Sequence, residues 1–248
     1  MLFQKLVYRA GVLVLHAYTR WMLHRDIVRH ADLPPGPKIY AVNHPSTTDP
    51  FYLLALVPDQ VSILVSQIAF DAPLFGSYLR AAGHVQVDFE NGRAAFNRAV
   101  DLLARGQSIG IFPEGALSPA EGGQHPARTG VARLALLSGA PVVPIGISLD
   151  WSRLRIVETT IKGTSDEARW YLNGPYSVTV GAPLTLDGDI DDWPYVQQAA
   201  QDIMQRVGEL ARESERRQGQ QRLTTWYAVR TWLPLHVLNP IVGQTVAS

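Results

Sequence analysis

Apolar and polar residues form alternating blocks along the chain, and the spacing inside each block indicates an element of secondary structure. Short apolar runs predict strands, and longer stretches with a period of about 3.6 residues predict helices. The predicted strands cover residues 38–43, 61–65, 84–88, 108–112, 142–147 and 176–180. The predicted helices lie near residues 50–57, 73–82, 93–105 and 128–138. This alternation predicts an α/β fold, a single domain with a mixed, largely parallel sheet flanked by helices.

The pattern of apolar residues in the first segment predicts an amphipathic helix over residues 2 to 24. Apolar residues recur there at helical spacing, namely Phe3, Leu6, Val7, Ala10, Leu13, Val14, Ala17 and Trp21. Residues 1–30 contain five Lys or Arg residues and one Asp, which gives this segment a net charge of +4. A basic amphipathic helix with aromatic residues is typical of a membrane surface. We therefore predict that residues 1–30 associate with a membrane, and the alternative is a helix packed on the core with solvated arginines.

The remainder of the chain divides into a core and a C-terminal region. The turn cluster Leu33-Pro34-Pro35-Gly36-Pro37 separates the first helix from a predicted core domain at 31–190. Within the core, residues 153–161 predict a strand that is followed by a polar loop. Residues 191–217 predict a polar helix, and an aromatic stretch follows from Leu223 to Leu238. We expect residues 191–248 to pack on the core or on the membrane.

Composition excludes several classes of protein. Lys plus Arg and Asp plus Glu both number 22, so no overall field attracts nucleic acid. The chain has no cysteine, which excludes disulfides, thiolate zinc sites and a cysteine nucleophile. The apolar run from Ala10 to Thr19 is much shorter than the roughly 20 residues of a spanning helix, and no cleavage site follows it. We expect a peripheral protein at the cytoplasmic face of the cell membrane.

Candidate chemistry first occurs after the strand at 38–43, in Asn43-His44-Pro45-Ser46-Thr47-Thr48-Asp49. On a regular helix, His44 and Asp49 would not share a face, because five residues correspond to about 500° of rotation. Pro45 disfavours helical geometry at His44, and a turn would let the two side chains meet. A carboxylate on one imidazole nitrogen leaves the other free to accept a proton. Alternatively, Asp49 caps a helix that starts at Pro50.

A second candidate follows the buried strand at 108–112, in Phe112-Pro113-Glu114-Gly115. Functional groups of α/β proteins concentrate at the carboxyl ends of strands, although Glu114 is also compatible with an exposed turn.

Together, the His-x4-Asp and Phe-Pro-Glu-Gly motifs resemble the glycerophospholipid acyltransferase family, which includes the 1-acylglycerol-3-phosphate acyltransferases. Two weaker blocks agree with it, Gly83 to Asp88 and Val143-Pro144-Ile145, and the resemblance covers roughly residues 25 to 185. It marks Asn43, Phe112, Pro113 and Pro144 as structural parts of the motifs.

The resemblance implies a role for each motif residue. His44 is the expected general base and Asp49 its partner, while Glu114 and Gly115 are expected to bind the acceptor. Acyl-CoA or acyl carrier protein is the expected co-substrate, with no further cofactor and no metal. The expected acceptor is the hydroxyl of a lysophospholipid or related lipid at a membrane surface. Backbone amides at the start of the helix after Asp49 are candidate donors to the oxyanion.

Two departures from the family pattern leave the acceptor open. The family has arginines where this chain has Phe89 and Leu117, and these arginines are associated with the phosphate of the acceptor. Arg128 and Arg93 are the remaining candidates for acceptor binding in these regions. A glycolipid or another lysolipid is therefore an alternative acceptor, and a lipid-binding relative without catalysis is an alternative function. The sequence does not define the acyl chain length or the oligomeric state.

The segment Gly106-Gln107-Ser108-Ile109-Gly110 also matches the Gly-x-Ser-x-Gly pattern of α/β-hydrolases. That nucleophile elbow needs a strand before the serine and a helix after it, and the order predicted here is the reverse. We expect this match to be accidental.

Overall fold

The computed structural model describes residues 2–88, 91–161 and 164–232. The strands are β1 (Leu23–Arg29), β2 (Ile39–Val42), β3 (Val61–Ser66), β4 (Val85–Val87), β5 (Ser108–Ile111), β6 (Val142–Leu149), β7 (Arg155–Ile161), β8 (Thr164–Trp170) and β9 (Gly174–Val180). The α-helices are α1 (Leu2–Met22), α2 (Asp49–Leu56), α3 (Gln67–Asp71), α4 (Phe75–Ala82), α5 (Gly92–Ala104), α6 (Gly130–Ser138) and α7 (Trp193–Trp232). A short 3₁₀ turn covers Trp151–Arg153.

The main sheet has the strand order β1-β9-β6-β2-β5-β3-β4. Strands β6, β2, β5, β3 and β4 run parallel to one another. Strand β9 pairs antiparallel to β6 and parallel to β1. Strands β7 and β8 form a separate two-stranded hairpin. The predicted fold class, a mixed and largely parallel sheet flanked by helices, is therefore confirmed.

Strand β2 separates the two halves of the hydrophobic core. Its side chains alternate between faces, as the period of a strand requires, and all four residues are buried. Ile39 and Ala41 face a cluster that includes α5, α6 and the first half of α7. Tyr40 and Val42 face the cluster that includes α2 and Tyr8 of α1. Because β2 is central and buried on both sides, the loop at its carboxyl end is held on a rigid support.

The C-terminal helix is longer than the sequence predicts. Helix α7 covers Trp193–Trp232 rather than residues 191–217, so part of the predicted aromatic stretch is helical. The helix approaches β6 closely, since a Cβ built on Gly146 would lie 2.0 Å from the backbone nitrogen of Ala211. The remainder of the predicted tail, residues 233–248, lies outside the described residues.

Two strands were not predicted, and both have physical reasons for a weak signal. Residues 23–29 form β1 rather than the end of the first helix, so the predicted unit 1–30 is part helix and part sheet. Strand β1 is charged because it is an edge strand, and β9 is its only partner among the described strands. Strand β8 replaces the predicted polar loop, and it is polar because, in the part of the chain that the structure describes, it pairs only with β7. The predicted helix at 73–82 is α4, which is preceded by the separate short helix α3.

Helix α1 packs on the protein through a face that is not its most apolar one. It contacts α2 and α4, with Tyr8 buried and Gly11 against the ring of Tyr78. The apolar residues of the predicted amphipathic pattern remain largely exposed, among them Phe3, Leu6, Leu13, Val14 and Trp21. Within the described ranges, no helix has the length and apolarity needed to cross a bilayer.

Candidate active site

The sheet topology brings the two sequence motifs together. Strands β2 and β5 are parallel neighbours, so their carboxyl ends lie at the same edge of the sheet. His44 follows the end of β2, and Glu114 follows the end of β5. Ligand sites of open α/β sheets lie outside this edge. The two motifs therefore form one candidate site.

His44 and Asp49 meet across a turn. The Nδ1 atom of His44 lies 3.3 Å from Oδ2 of Asp49, and the amide of Asp49 donates to the carbonyl of Ser46 at 3.1 Å. The His44 side chain is 17% exposed, whereas the Asp49 side chain is fully buried. Asp49 is also the first residue of α2, but Thr48 occupies the cap position and makes no side-chain cap. The Asp49 carboxylate therefore holds the turn and His44 instead of capping the helix.

Three further hydrogen bonds fix the carboxylate of Asp49. The Ser46 amide donates to Oδ2 at 2.6 Å, and the Ser46 hydroxyl donates to Oδ1 at 2.7 Å. The hydroxyl of Tyr176, at the start of β9, donates to Oδ1 at 2.9 Å. Burial raises the pKa of Tyr176 well above its usual range, so this phenol remains a donor. The carboxylate has little freedom to rotate away from the imidazole.

Glu114 holds the backbone of His44 rather than its ring. Its Oε1 atom accepts from the His44 amide at 3.1 Å and from the Ser118 hydroxyl at 2.6 Å. Its Oε2 atom accepts from the amide of His125 at 3.0 Å. Glu114 is buried, so the alternative of an exposed turn carboxylate is wrong. Its predicted role in binding the acceptor stays a prediction, since these contacts give it a positioning role.

The other motif residues surround His44. The ring of Phe112 stacks on the imidazole, with 4.2 Å between the ring centroids and 30° between the planes. The Asn43 side chain donates to the carbonyl of Ile147 at 2.9 Å and accepts from its amide at 2.7 Å. The carbonyl of Pro113 accepts from the Arg128 amide at 2.8 Å, and Pro144 of β6 is in register with Ala41. These residues anchor both motif turns to the central strands.

The two predicted arginines differ in their relation to the site. Arg128 lies over Gly115, where a built Cβ would be 2.4 Å from its Nε atom. Gly115 has a φ of 66°, and both facts favour glycine at this position. Arg93 is an exposed residue in the first turn of α5, just after β4. Strand β4 is three strands from β2, a separation of about 14 Å, so Arg93 lies to the side of the dyad.

Sequence reasoning missed three residues that the fold brings to the site. The Ser118 hydroxyl donates to Glu114, and the Tyr176 hydroxyl donates to Asp49. Arg169 of β8 donates through Nη1 to the Ser118 carbonyl at 2.6 Å. Ser118 lies in the loop directly after the second motif, which was the one available signal. Tyr176 and Arg169 lie more than 100 residues after His44, and nothing in their local sequence connects them with it.

The geometry contradicts one further expectation, the oxyanion donors at the start of α2, and agrees with another, that the Gly-x-Ser-x-Gly match is accidental. The amides of Asp49, Phe51 and Tyr52 donate to carbonyls within the turn, so these groups are not free to bind an oxyanion. Ser108 is the first residue of β5, follows α5 and is buried, which excludes a nucleophile elbow. Among the described residues, no group of three His, Cys, Asp or Glu side chains is arranged to hold a metal ion.

The arrangement defines a class of site, an α/β sheet with a histidine positioned by one carboxylate on its ring and another on its backbone. With Nδ1 directed at Asp49, Nε2 of His44 is the nitrogen that can accept a proton from a hydroxyl. The chain belongs to the acyltransferase family, because the family model described as Acyltransferase matches residues 24–148, half of its length.

Curated relatives share this region. The chain is 29% identical over 169 residues to the 1-acyl-sn-glycerol-3-phosphate acyltransferase of Cocos nucifera, a match that covers 62% of this chain and 54% of the relative. It is 33% identical over 135 residues to that of Limnanthes alba, covering 50% and 48%, and 24% identical over 148 residues to that of Bacillus subtilis, covering 59% and 66%. The chain thus spans about half the length of the plant relatives that it matches.

A solved structure has the same fold. The 1-acyl-sn-glycerophosphate (LPA) acyltransferase PlsC from Thermotoga maritima superimposes with a TM-score of 0.54 at 18% identity. The match covers 82% of this chain and 78% of that protein. At this identity the likeness concerns the fold.

Proposed function

We propose that the chain is an O-acyltransferase that moves a fatty acyl group from acyl-CoA or acyl carrier protein to a lipid hydroxyl. The most direct reaction converts 1-acylglycerol-3-phosphate to phosphatidic acid, the acceptor type in the names of the curated relatives. The observation that carries the proposal is the contact between His44 and the buried Asp49 inside the region that matches the family.

The proposed reaction needs one general base. Nε2 of His44 takes the proton of the acceptor hydroxyl while its oxygen forms a bond to the thioester carbonyl carbon. The buried Asp49 stabilises the imidazolium that results. When the tetrahedral intermediate collapses, the carbon–sulfur bond breaks and the leaving thiolate takes the proton from His44. The products are an ester and a free thiol, and the imidazole is restored.

Acyl transfer to a panel of acceptors tests this function. The panel contains 1-acylglycerol-3-phosphate, lysophosphatidylcholine and monoacylglycerol, each with labelled acyl-CoA. We expect His44→Ala to lower the rate on the best acceptor by about 10²–10⁴-fold, the usual contribution of a positioned base. The exposed His24 supplies the matched control, and His24→Ala should retain the wild-type rate. Equal rates for wild type and His44→Ala would refute the assignment.

The acceptor alternatives keep their own support. Leu117 stands where the family has an arginine, which favours a glycolipid or a lysolipid without a phosphomonoester. The same panel separates these acceptors by their relative kcat/KM. Binding to lipids with no transfer to any acceptor would instead identify a lipid-binding relative.

We further propose that α1 holds the protein at the cytoplasmic face of the membrane as a peripheral protein. Its exposed apolar residues Leu13 and Trp21 lie on the side of the helix away from the core, and Lys5, Arg9 and Arg20 are exposed as well. This combination suits an anionic lipid surface. The variant Leu13→Asp/Trp21→Asp should bind less to vesicles of phosphatidylglycerol and phosphatidylcholine. Leu137→Asp, an exposed leucine of α6, is the control.

A further inference from the structure

The base of the β7–β8 hairpin lies against both motif turns. The Thr47 amide donates to the Arg169 carbonyl at 2.9 Å, and the Arg169 amide donates to the Thr47 hydroxyl at 2.9 Å. The guanidinium of Arg169 reaches the second turn, where Nη1 donates to the Ser118 carbonyl at 2.6 Å. Arg169 is therefore fixed to the first turn by its backbone and to the second by its side chain.

Both contacts lie next to His44. Thr47 belongs to the turn between His44 and Asp49, and the Ser118 amide donates to the His44 carbonyl at 2.8 Å. The Ser118 hydroxyl also accepts from the His44 amide at 3.1 Å. The Arg169 side chain is 13% exposed, close to the 17% of His44, so neither group is sealed in the core.

The electrostatics of the site require a cation for an anionic acceptor. Asp49 and Glu114 are both buried carboxylates, and a phosphate near His44 would add further negative charge. A guanidinium has five N–H donors in a planar fork that matches the oxygens of a phosphate. Arg169 donates through Nε to Glu167 at 2.7 Å and through Nη1 to Ser118, which leaves further donors on the same group for a ligand.

Arg128 supplies a second cation on the same loop. Its guanidinium lies over Gly115, three residues before Ser118, and its side chain is exposed. Arg93, in contrast, forms no hydrogen bond with either motif turn in the described part of the chain and lies about three strand spacings from β2. The two cations with contacts to the second turn are thus Arg128 and Arg169.

We propose that Arg169, together with Arg128 over the same loop, binds the phosphate of the acceptor and so sets the preference for an anionic lysolipid. The inference rests on the proposed acyl transfer and deepens it. Arg169 comes from a hairpin between β6 and β9, outside both sequence motifs, and it compensates for the arginines that are absent at positions 89 and 117.

The experiment compares Arg169→Gln, Arg169→Lys and wild type on the acceptor panel at saturating acyl-CoA, and then varies acyl-CoA at a saturating concentration of acceptor. For Arg169→Gln, we expect KM for 1-acylglycerol-3-phosphate to rise about 10- to 100-fold, the effect of losing a hydrogen-bonded charge pair. The kcat for this acceptor and both constants for monoacylglycerol should stay within about threefold. Arg169→Lys should recover part of the affinity, because a point charge remains without the planar fork.

Matched variants separate binding from structure. Arg153→Gln removes an arginine that also pairs with a carboxylate, Asp150 at 3.4 Å, but contacts neither motif turn, and it should leave every KM unchanged. Glu167→Gln removes the charge that competes for Arg169, so it should lower KM for the anionic acceptor about two- to threefold. This second variant keeps the test valid even if Arg169→Gln fails to fold.

Three results would overturn the inference. An equal fall of kcat on all acceptors would assign Arg169 to the oxyanion or to the fold. A rise of KM for acyl-CoA alone would assign it to the phosphates of the donor, and an unchanged KM for the anionic acceptor would leave it without a ligand role.

If wild type transfers no acyl group, the proposed function fails, and the subsite is then tested by binding alone. In that case, retention on vesicles of 1-acylglycerol-3-phosphate and phosphatidylcholine is compared with retention on vesicles of monoacylglycerol and phosphatidylcholine. A selective loss in Arg169→Gln supports the phosphate subsite, and equal retention overturns it.

Discussion

His44 and His84 are two histidines of the same sheet with different surroundings. His44 follows the carboxyl end of β2 and has a carboxylate at its Nδ1 atom. His84 precedes the amino end of β4, is 8% exposed and has the amide of Ile63 at its Nδ1 atom, 3.2 Å away. No partner for Nε2 of His84 is found among the described residues, and the ring lies between Tyr8 and Tyr78.

The difference shows what a parallel sheet does at its two edges. At the carboxyl edge, loops from neighbouring strands surround His44 with two carboxylates and leave its ring partly exposed. At the amino edge, burial without a carboxylate lowers the pKa of His84 to about 4, which keeps this ring neutral. A histidine suited to proton transfer needs both a carboxylate partner and access to solvent, and His84 has neither.

Asp49→Asn should have the largest effect, because it removes the carboxylate that distinguishes the surroundings of His44 from those of His84. It removes the charge that stabilises a protonated His44 and turns an amide towards the donors that Asp49 now accepts from. We expect kcat to fall about 10²–10⁴-fold with little change in KM. Asp26→Asn, which weakens a half-buried pair with Arg217 far from the motif turns, is the control and should keep full activity. A rate within threefold of wild type would show that His44 works without its partner.

Glu114→Gln should have the next largest effect, because it disturbs the backbone of His44 rather than its ring. The new amide group would face at least one of the donors that now bind the carboxylate. We expect a fall in kcat of about 10- to 100-fold and a loss of about 1–3 kcal/mol in the free energy of unfolding. Steady-state kinetics and thermal denaturation measure the two effects. Unchanged stability would contradict the positioning role.

Tyr176→Phe tests one hydrogen bond to the Asp49 carboxylate, the partner of His44. It removes one donor from Asp49 and leaves the aromatic packing of Tyr176 against Tyr52 and Tyr171. We expect kcat to fall about 3- to 10-fold, less than for Asp49→Asn, since the other hydrogen bonds of the carboxylate remain. An effect as large as that of Asp49→Asn would mean that the position of the carboxylate depends on the Tyr176 hydroxyl alone.

His84→Gln should have the smallest effect on activity and a distinct effect on stability. The folded protein keeps His84 neutral down to about pH 4, whereas the unfolded chain protonates it near pH 6.5. Wild type should therefore lose up to about 3 kcal/mol of stability as the pH falls from 6.5 to 4, because the unfolded state binds more protons there. His84→Gln should lack this loss. Parallel pH–stability curves for both proteins would exclude His84 as its source.

The sequence predicted the elements whose signal is local. The buried parallel strands, such as β2 and β5, are short apolar runs, and the structure places all of the six strands first predicted in the main sheet. The contact of His44 with Asp49 was also predictable, because Pro45 restricts the turn between them. Strands β1 and β8 were missed because their partners, β9 and β7, supply the order that their own polar residues do not indicate.

The remainder of the site depends on the tertiary fold. Tyr176 reaches Asp49 only because β9 starts at the carboxyl edge of the sheet, where it pairs with Leu149 at the end of β6. Arg169 reaches the motif turns only because β8 returns to them after β7 has led the chain away. No spacing in the sequence indicates either event, so both residues are visible only in the folded protein.

The hairpin that carries Arg169 is a separate two-stranded sheet that is attached to the motif turns. Its strands β7 and β8 pair with each other, and its base is bonded to Thr47 and Ser118. A change of side chains on this hairpin would thus alter one side of the site, while its backbone bonds to Thr47 and the seven-stranded sheet stay in place. In evolutionary terms, the residue proposed to select the headgroup and the residues proposed to carry the chemistry lie in different parts of the chain. The first can therefore change while selection preserves the others.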